Sequence, residues 1–514
     1  MKKLYFRSIA LFTILGCQSF STNAQSGSLD FSFDNDGILT TTIGTGNASG
    51  NTIVIQPDGK ILLGGNSGNN LALARYQING SLDDTFGMGG AVTTNLGCAN
   101  ASGSTMELQN DGKILLGGYC GIFPNYDFAL TRYNTDGSLD QSFGNAGSVI
   151  TPILNAGDQG LSIAIQNDGK ILLGGVTDNG SNGDFALVRY HTMGSLDSSF
   201  GTHGKVITAV GPASEIIRAV VVQQDGKIVV AGYSYTAASF SYDFVVARYH
   251  TNGSLDNSFG NRGILTTAII QNTNDYAESM VIQADGKIIV GGYSFKGHLL
   301  MARYTTHGVL DPTFGTGGTI STVFGCAYQN DYSIALQSDG KILLGGYSTL
   351  NRVNSDFAVA RYTSDGKLDH TFGIGGMMHT PIGSGHDIAT SIAIQPDGKI
   401  VLAGRSQNGN KYDFSIVRYH NTISTGINTT ADQTTEINII PNPFSLYTSL
   451  QAEHNFNNAI LTVYNSYGLE VKQIKNISGN SMTLHRNELQ SGLYILYLTE
   501  ENKVLAVNKL VIID

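Results

Sequence analysis

Tryptophan is absent from this 514-residue chain, and Asp, Glu, Lys and Arg together make up only 14% of it. Positive charge is the scarcer sign: 30 Lys and Arg stand against 40 Asp and Glu, a formal net charge of −10. Nucleic acid and anionic membranes are bound by concentrated positive charge, so an acidic chain without a basic cluster fits neither. No stretch after the first residues approaches the ~20 apolar residues of a spanning helix, and no transmembrane segment is expected in the mature chain. The missing Trp weakens a sugar-stacking site, although 24 Tyr can substitute. Catalytic signatures are missing too. There is no G-x-S-x-G elbow, no H-E-x-x-H and no C-x-x-C, and the eleven His are scattered. The expectation is no catalytic set, no metal and no cofactor.

What is plentiful is Gly, at 64 residues, set among short apolar runs that suggest strands and turns. The length is too great for one ordinary core, so several domains or a repeat array are expected. Residues 1–24 read as a signal peptide: Lys2, Lys3 and Arg7 are followed by an apolar stretch and a small-residue cleavage site between Ala24 and Gln25. A lipoprotein attachment at Cys17 is the rival reading, weakened by Leu15 before Gly16. Cleavage takes the net charge to −13 and leaves Cys98, Cys120 and Cys326. An odd count excludes a fully paired framework. Cys98 and Cys120 flank Asp111 on opposite arms of one hairpin, a spacing that allows a disulfide as well as two thiols that simply pack.

The run QNDGKILLGG occurs twice unchanged, at 109–118 and 166–175. Its DGK variants place Asp58, Asp111, Asp168, Asp225, Asp285, Asp339 and Asp397 in step. An Arg-Tyr pair keeps pace at Arg75, Arg132, Arg189, Arg248, Arg303, Arg361 and Arg418. A third marker, like GSLDQSFG at 137–144, has its Asp at 30, 83, 140, 197, 256, 311 and 369. Seven copies of one unit fill the chain, and a period of this kind precedes any other fold argument.

In the unit 137–190, GSVIT, LSIAIQ, KILLGG and DFALVRY read as four successive strands. Asn167-Asp168-Gly169 joins the middle two. Pro57 and Pro396 occupy the Asn167 place in other copies, which forbids positive φ there and selects a type I turn followed by a left-handed Gly. The resulting antiparallel hairpin argues against a parallel β-helix. KILLGG and FALVRY are apolar on both faces, so the sheets are covered on both sides. The expected fold is all-β: a seven-bladed β-propeller of four-stranded antiparallel blades over 25–420, rather than a capped linear stack. No GILTT-like strand follows Tyr419, but one stands at Gly37–Thr42, and it is expected to complete the last blade. The repeated Arg shares a strand face with Phe and Leu, so it needs an acceptor; the Asp of the LD pair seven or eight residues on is the expected partner in a structural latch. The DGK Asp residues read as turn formers. Asp34-Asn35-Asp36-Gly37 and Asn134-Thr135-Asp136-Gly137 look slightly like calcium loops but lack the ligand ladder and terminal Glu, and turn formation is the reading.

After a Thr- and Asn-rich linker, 421–436, a different pattern begins. Residues 437–514 read as a small β-sandwich, with strands joined at Ser466-Tyr467-Gly468. The DGK hairpin, the Arg-Tyr strand and the LDxSFG-like run resemble the bacterial delta-60 β-propeller repeat, a likeness that implies fold and brings no activity with it. Pro441, Asn442, Pro443, Gly468, Leu489, Gly492, Tyr494, Lys509 and Leu510 resemble the type A sorting domain of type IX secretion in Bacteroidetes. That resemblance implies passage from the periplasm through the outer membrane, contact with the secretion machinery, and release or attachment to surface polysaccharide. The favoured function is a secreted or cell-surface binding or structural propeller with an unidentified glycan or protein ligand. A hydrolase or lyase with its site in the channel, at residues such as His379, His386 and Asp387, is the alternative; a surface-attached adhesin is the third reading.

Overall fold

The computed structural model describes residues 26–421 and 437–513, except 155, 237–239, 325–331, 350–353, 466–469, 488 and 501–502. The proposed signal cleavage site, Cys326, most of the linker and Gly468 lie outside the described residues.

Seven four-stranded antiparallel sheets are arranged as blades. Blade 3 is representative. Its inner strand Asp158–Ile165 pairs with Ile171–Asp178, which pairs with Gly183–Tyr190, which pairs with the outer strand Lys205–Thr208. The other blades run from Ala48 to Thr94, Asn100 to Thr151, Glu215 to Thr267, Asp275 to Val323 and Ser333 to Thr380. The sequence unit and the structural blade are therefore out of phase. The GSVIT strand at 148–151, expected to open the unit 137–190, is the outer strand of the preceding blade and pairs with Asn125–Tyr133. It follows the LD turn directly, and so packs beside the strand it has just left.

The seventh blade lacks an outer strand of its own. Ile38–Thr41 supplies it, in antiparallel register with Phe414–Val417. The apolar core runs around the ring through this closure: Leu63 and Ala72 of blade 1 cluster with Val401, Phe414 and Ile416 of blade 7. Each interface works the same way, as where Val229 and Phe244 of blade 4 meet Val290 and Leu300 of blade 5. Strands covered on both faces by neighbouring blades explain why KILLGG has no polar side.

The paired glycines answer to local geometry. Inner strands carry a bulge, between Gly50 and Thr52 in blade 1, which drives a carbonyl toward the second strand. A Cβ on Gly65 would stand 1.9 Å from the Ser49 oxygen, and on Gly118 or Gly175 1.9 or 1.8 Å from the matching oxygens. The first glycine has only side chains around it in blade 1, the nearest at 3.1 Å. Two copies read QQDGKIVVAG and QPDGKIVLAG, so Ala231 and Ala403 replace the first glycine while the second is retained.

The C-terminal residues form a five-stranded antiparallel sheet rather than two independent ones. Tyr447–Asn465 and Glu470–His485 are long enough to serve both layers, with irregular pairing between Gln451 and Leu461. Phe444 forms a parallel bridge to Ile512, bringing the two sheet edges toward each other. Leu450, Leu461, Val463, Leu484, Leu496 and Leu498 fill the interior, all fully buried.

Gly65→Ala is expected to cost at least about 3 kcal/mol, because the clash is with backbone, whereas Gly64→Ala should stay within about 1.5 kcal/mol. Denaturant unfolding of the two variants checks this, and equal losses would contradict the bulge explanation.

Candidate binding face and the latch that opposes it

The ring has two unlike faces. On the lower one lie the DGK turns and the LD-containing loops. Each DGK turn has its Gly at positive φ, as at Gly59 (+84°) and Gly169 (+80°). Each DGK Asp accepts the amide of the following Lys, at 3.1 Å for Asp58, Asp111, Asp225, Asp285, Asp339 and Asp397 and 3.2 Å for Asp168. These are the Asx turns expected of that sequence.

The repeated Arg is buried in every copy. Six pairs lie within their own repeat: Arg75–Asp83, Arg132–Asp140, Arg189–Asp197, Arg248–Asp256, Arg303–Asp311 and Arg361–Asp369, with Nε–Oδ2 distances of 2.7–2.9 Å. The seventh, Arg418, has no LD pair downstream and meets Asp30 at 2.7 Å, from the opposite end of the propeller. The guanidinium also crosses to the next blade, donating to Thr135 O from Arg75 (2.5 Å), Thr192 O from Arg132 (2.6 Å) and Thr306 O from Arg248 (2.6 Å). It lies over a buried Phe of the same loop, 4.4 Å from the Phe200 ring centre for Arg189. The DGK lysine completes the site: Lys113 reaches Asp140 at 2.7 Å and Lys399 reaches Asp30 at 3.0 Å. The neighbouring Tyr ties backward, its hydroxyl 2.9 Å from a Thr on the preceding outer strand for Tyr133, Tyr190, Tyr249 and Tyr304.

Burial alone would raise the Asp197 pKa. Hydrogen bonds from the Ser199 hydroxyl and amide, with Lys170 and Arg189, outweigh it and hold the carboxyl well below its usual range. A depressed pKa means that this contribution is present above the ordinary carboxyl pKa and is lost on acidification through the folded value.

The upper face carries the hairpins between second and third strands and the crossings from one outer strand to the next inner strand. Here the copies differ. The residue after the second glycine is Asn66, Tyr119, Val176, Tyr233, Tyr293, Tyr347 or Arg405. Blades 4 to 6 gather an aromatic arc. Tyr276 stacks with Tyr242 and Tyr293 at 5.5 and 5.1 Å, meets Tyr233 edge-on at 4.8 Å, and lies 5.5 Å from Phe295. Tyr233, Tyr235, Tyr242 and Tyr276 are half-buried. Arg218 pairs with Glu278 beside them, on the bulges of adjacent inner strands. A cavity of about 370 Å³ between blades 3 and 4 is lined by Asn182, Pro212, Ser214, Tyr235 and Tyr242.

In blades 1, 2, 3, 6 and 7 the residue one step further along the second strand pins the incoming crossing loop, by varied chemistry. Ser67 donates to Ile43 O and Ser348 to Phe324 O. Cys120 forms a disulfide with Cys98, Cα–Cα 6.0 Å. Thr177 and Ser406 donate to the buried Asp158 and Asp387, which accept the amides of Ile153 and Ile382. The residues offered for a channel enzyme do not converge on the axis. His379 sits on the outer strand Met377–Thr380 against Phe324, and Asp387 is a loop anchor beside His386. The two stretches that looked like calcium loops form Asx turns, with Asp36 accepting Ile38 N and Asp136 accepting Ser138 N at 2.9 Å each.

In the C-terminal sheet, Asn442 between Pro441 and Pro443 clasps the last strand: its Nδ2 donates to Lys509 O at 2.7 Å and its Oδ1 accepts Val511 N at 2.8 Å. Tyr494 donates to Gln490 O at 2.8 Å, two residues before the strand that opens at Gly492.

A closed ring of seven four-stranded blades followed by a small clasped sheet defines a β-propeller with a separate C-terminal domain. Residues 56–86, 109–143, 166–200, 223–259, 283–314, 337–372 and 395–422 match the family described as a domain of unknown function (DUF5122) beta-propeller. Residues 438–513 match the secretion system C-terminal sorting domain. The chain is a DUF5122 propeller protein with a type IX sorting tail, which indicates export to the cell surface or secretion. No curated protein matches it. Among solved structures it is similar to virginiamycin B lyase from Staphylococcus aureus, at 11% identity and TM-score 0.44 over 74% of this chain and 98% of that one. It is also similar to a fungal alcohol oxidase of the AA5 family, at 11% identity and TM-score 0.41 over 92% and 98%. Likeness of this degree carries no argument about activity.

Arg189→Ala should cost on the order of 3 kcal/mol, since it strands buried Asp197 without its guanidinium. Chemical denaturation measures it; a loss under about 1 kcal/mol is what an exposed pair would give.

Proposed function

We propose that the propeller works outside the cell as a non-catalytic binding module, and that its upper face receives an extracellular ligand, a glycan or a protein. The observation that carries this reading is the contrast between the faces. The lower face repeats one set of residues seven times, as a structural device must. The upper face varies from copy to copy and collects half-buried tyrosines on one side, around Tyr276. Such rings offer large contact area with a polar edge and lose little side-chain entropy on binding.

The purified propeller, probed on a glycan array and a protein array, tests this. Tyr242→Ala and Tyr276→Ala should each weaken a bound ligand at least about tenfold, roughly 1.4 kcal/mol. Lys367→Ala, on the lower face with its side chain 81% exposed, should leave binding unchanged. Ligands insensitive to both tyrosine changes would place binding elsewhere.

The tail is proposed to act only in export. A chain ending near Thr425 keeps all seven blades and should fold, because the two units have separate cores. It should remain in the periplasm while the full chain reaches the surface or medium. Cell fractionation decides this, and equal export of both chains would contradict it.

A further inference from the structure

The cavity between blades 3 and 4 is built by three segments. Ser181 and Asn182 come from the blade 3 hairpin, Pro212 and Ser214 from the crossing to the next inner strand, and Tyr235 and Tyr242 from facing positions of the blade 4 hairpin. Four residues, 179–182, separate the two strands of the blade 3 hairpin, against two in blades 1, 2 and 7. The extra length supplies one wall, and that wall is fixed. Asn179 Oδ1 accepts the amides of Ser181 and Asn182 at 2.9 and 3.1 Å. Its Nδ2 donates to buried Asp184 at 2.9 Å and to Asn182 Oδ1 at 2.6 Å. The other walls are tied to it and to each other: Gly183 N donates to Ser214 Oγ at 3.3 Å, and Tyr235 N to Ser214 O at 3.4 Å. Tyr235 and Tyr242 meet edge-on with 5.6 Å between ring centres. A site held in shape before its ligand arrives loses less entropy on binding.

Every residue lining the cavity is uncharged. Asn182 Oδ1 is already occupied, so its Nδ2 is left to donate. The hydroxyls of Ser181, Tyr235 and Tyr242 form no hydrogen bond among the described residues and can give or accept one. An ion entering here would be desolvated with no opposite charge to meet it. An apolar anchor of a protein partner would bury these polar groups unpaired. A neutral sugar meets both demands. Its rim of hydroxyls pairs with the amide and hydroxyl groups, and its C–H face packs on the electron-rich face of an aromatic ring. At about 370 Å³ the cavity has room for a unit of that size and not for a helix or strand of a partner. Tyr242 belongs both to the cavity and to the arc, since it stacks with Tyr276 at 5.5 Å, and Tyr276 continues to Phe295 at 5.5 Å. Beside the arc, Arg218 and Glu278 neutralise each other.

We infer that the cavity between blades 3 and 4 takes the terminal unit of a neutral oligosaccharide, and that the aromatic arc receives the units that follow it. The inference rests on the upper face being the ligand-binding one, and narrows its ligand to one chemical class. The two parts do different work. Asn182 and the tyrosine hydroxyls select the end unit, because a hydrogen bond is sensitive to which hydroxyl it meets. The arc adds affinity with chain length, because stacking on a ring face tolerates many sugars.

The test is titration calorimetry of the full chain with neutral glucose, mannose and N-acetylglucosamine oligosaccharides of graded length, and with their sulfated counterparts. At least one neutral series should bind, more tightly as it lengthens, and its sulfated form should bind more weakly. Tyr235→Phe and Asn182→Ala should each weaken every member about fivefold, the worth of one neutral hydrogen bond. Tyr276→Ala should weaken the longer members at least about tenfold and leave the shortest that binds unchanged. Tyr235→Phe keeps its ring, so an unaltered melting temperature separates lost recognition from lost folding. Tighter binding of a sulfated series overturns the inference, as does a neutral sugar that binds indifferently to Asn182→Ala and Tyr235→Phe. If no neutral series binds at millimolar concentration while a protein ligand does, sensitive to Tyr242→Ala and Tyr276→Ala, the inference falls and the upper face stands as the binding face. Ligands indifferent to all four substitutions would remove that face as well.

Discussion

A guanidinium buried among Phe and Leu must be neutralised and hydrogen-bonded on every side, and this requirement organises the propeller. The acceptors come from three sources: the LD loop of the same repeat, the aromatic ring that follows it, and a carbonyl of the next blade. No isolated blade can supply all three. The latch therefore couples the fold of each blade to the presence of its neighbour, and six copies keep Arg, Asp and Phe at fixed separations while Arg418 takes Asp30 and Phe33 from the other end. It also accounts for the DGK lysine, whose turn could be built without it, because Lys adds a second cation to the buried carboxylate. Buried ion pairs add less net stability than their Coulomb energy suggests, and their clearest role is to fix register.

The upper face is free of that demand. What it must do is hold seven crossing loops, and the chain does so with a serine, a disulfide, or a hydroxyl with a carboxylate. Because several chemistries suffice, the positions drift, and the neighbouring residues drift with them. An arc of tyrosines on one side is a product of that freedom. The face that varies is the face on which a specific ligand can be recognised.

Much of the architecture is legible in the residues. The period, the antiparallel hairpin and the two-sided burial come directly from QNDGKILLGG and DFALVRY. The absent strand after Tyr419 points to Gly37–Thr42, and the structure pairs 38–41 with 414–417. The phase of the repeat is harder to read. Nothing local to GSVIT distinguishes pairing with the strand before it from joining the sheet that follows. The reach of Lys113 to Asp140 and of Arg132 to Thr192 is invisible for the same reason: the first contact crosses a sequence gap that the folded blade closes, and the second one that the ring closes. The start-of-strand acids Asp158, Glu215, Asp275 and Asp387 left a signal, a carboxylate at the start of four of the seven inner strands. Its meaning, an acceptor for the amides of the incoming crossing loop, needs the folded blade. In the tail, Asn442 is recognisable by its prolines, but its clasp on Lys509 and Val511 needs the folded sheet.

A closed propeller requires the first and last repeats to be joined by the same latch as the others. A double-mutant cycle on Arg418 and Asp30, 388 positions apart, set beside the same cycle on Arg189 and Asp197, measures it most directly. A closed ring predicts coupling energies for the two pairs that agree within about 0.5 kcal/mol, each of roughly 1–3 kcal/mol. Coupling near zero for Arg418 and Asp30, with the Arg189 pair intact, would show an open ring and contradict the account.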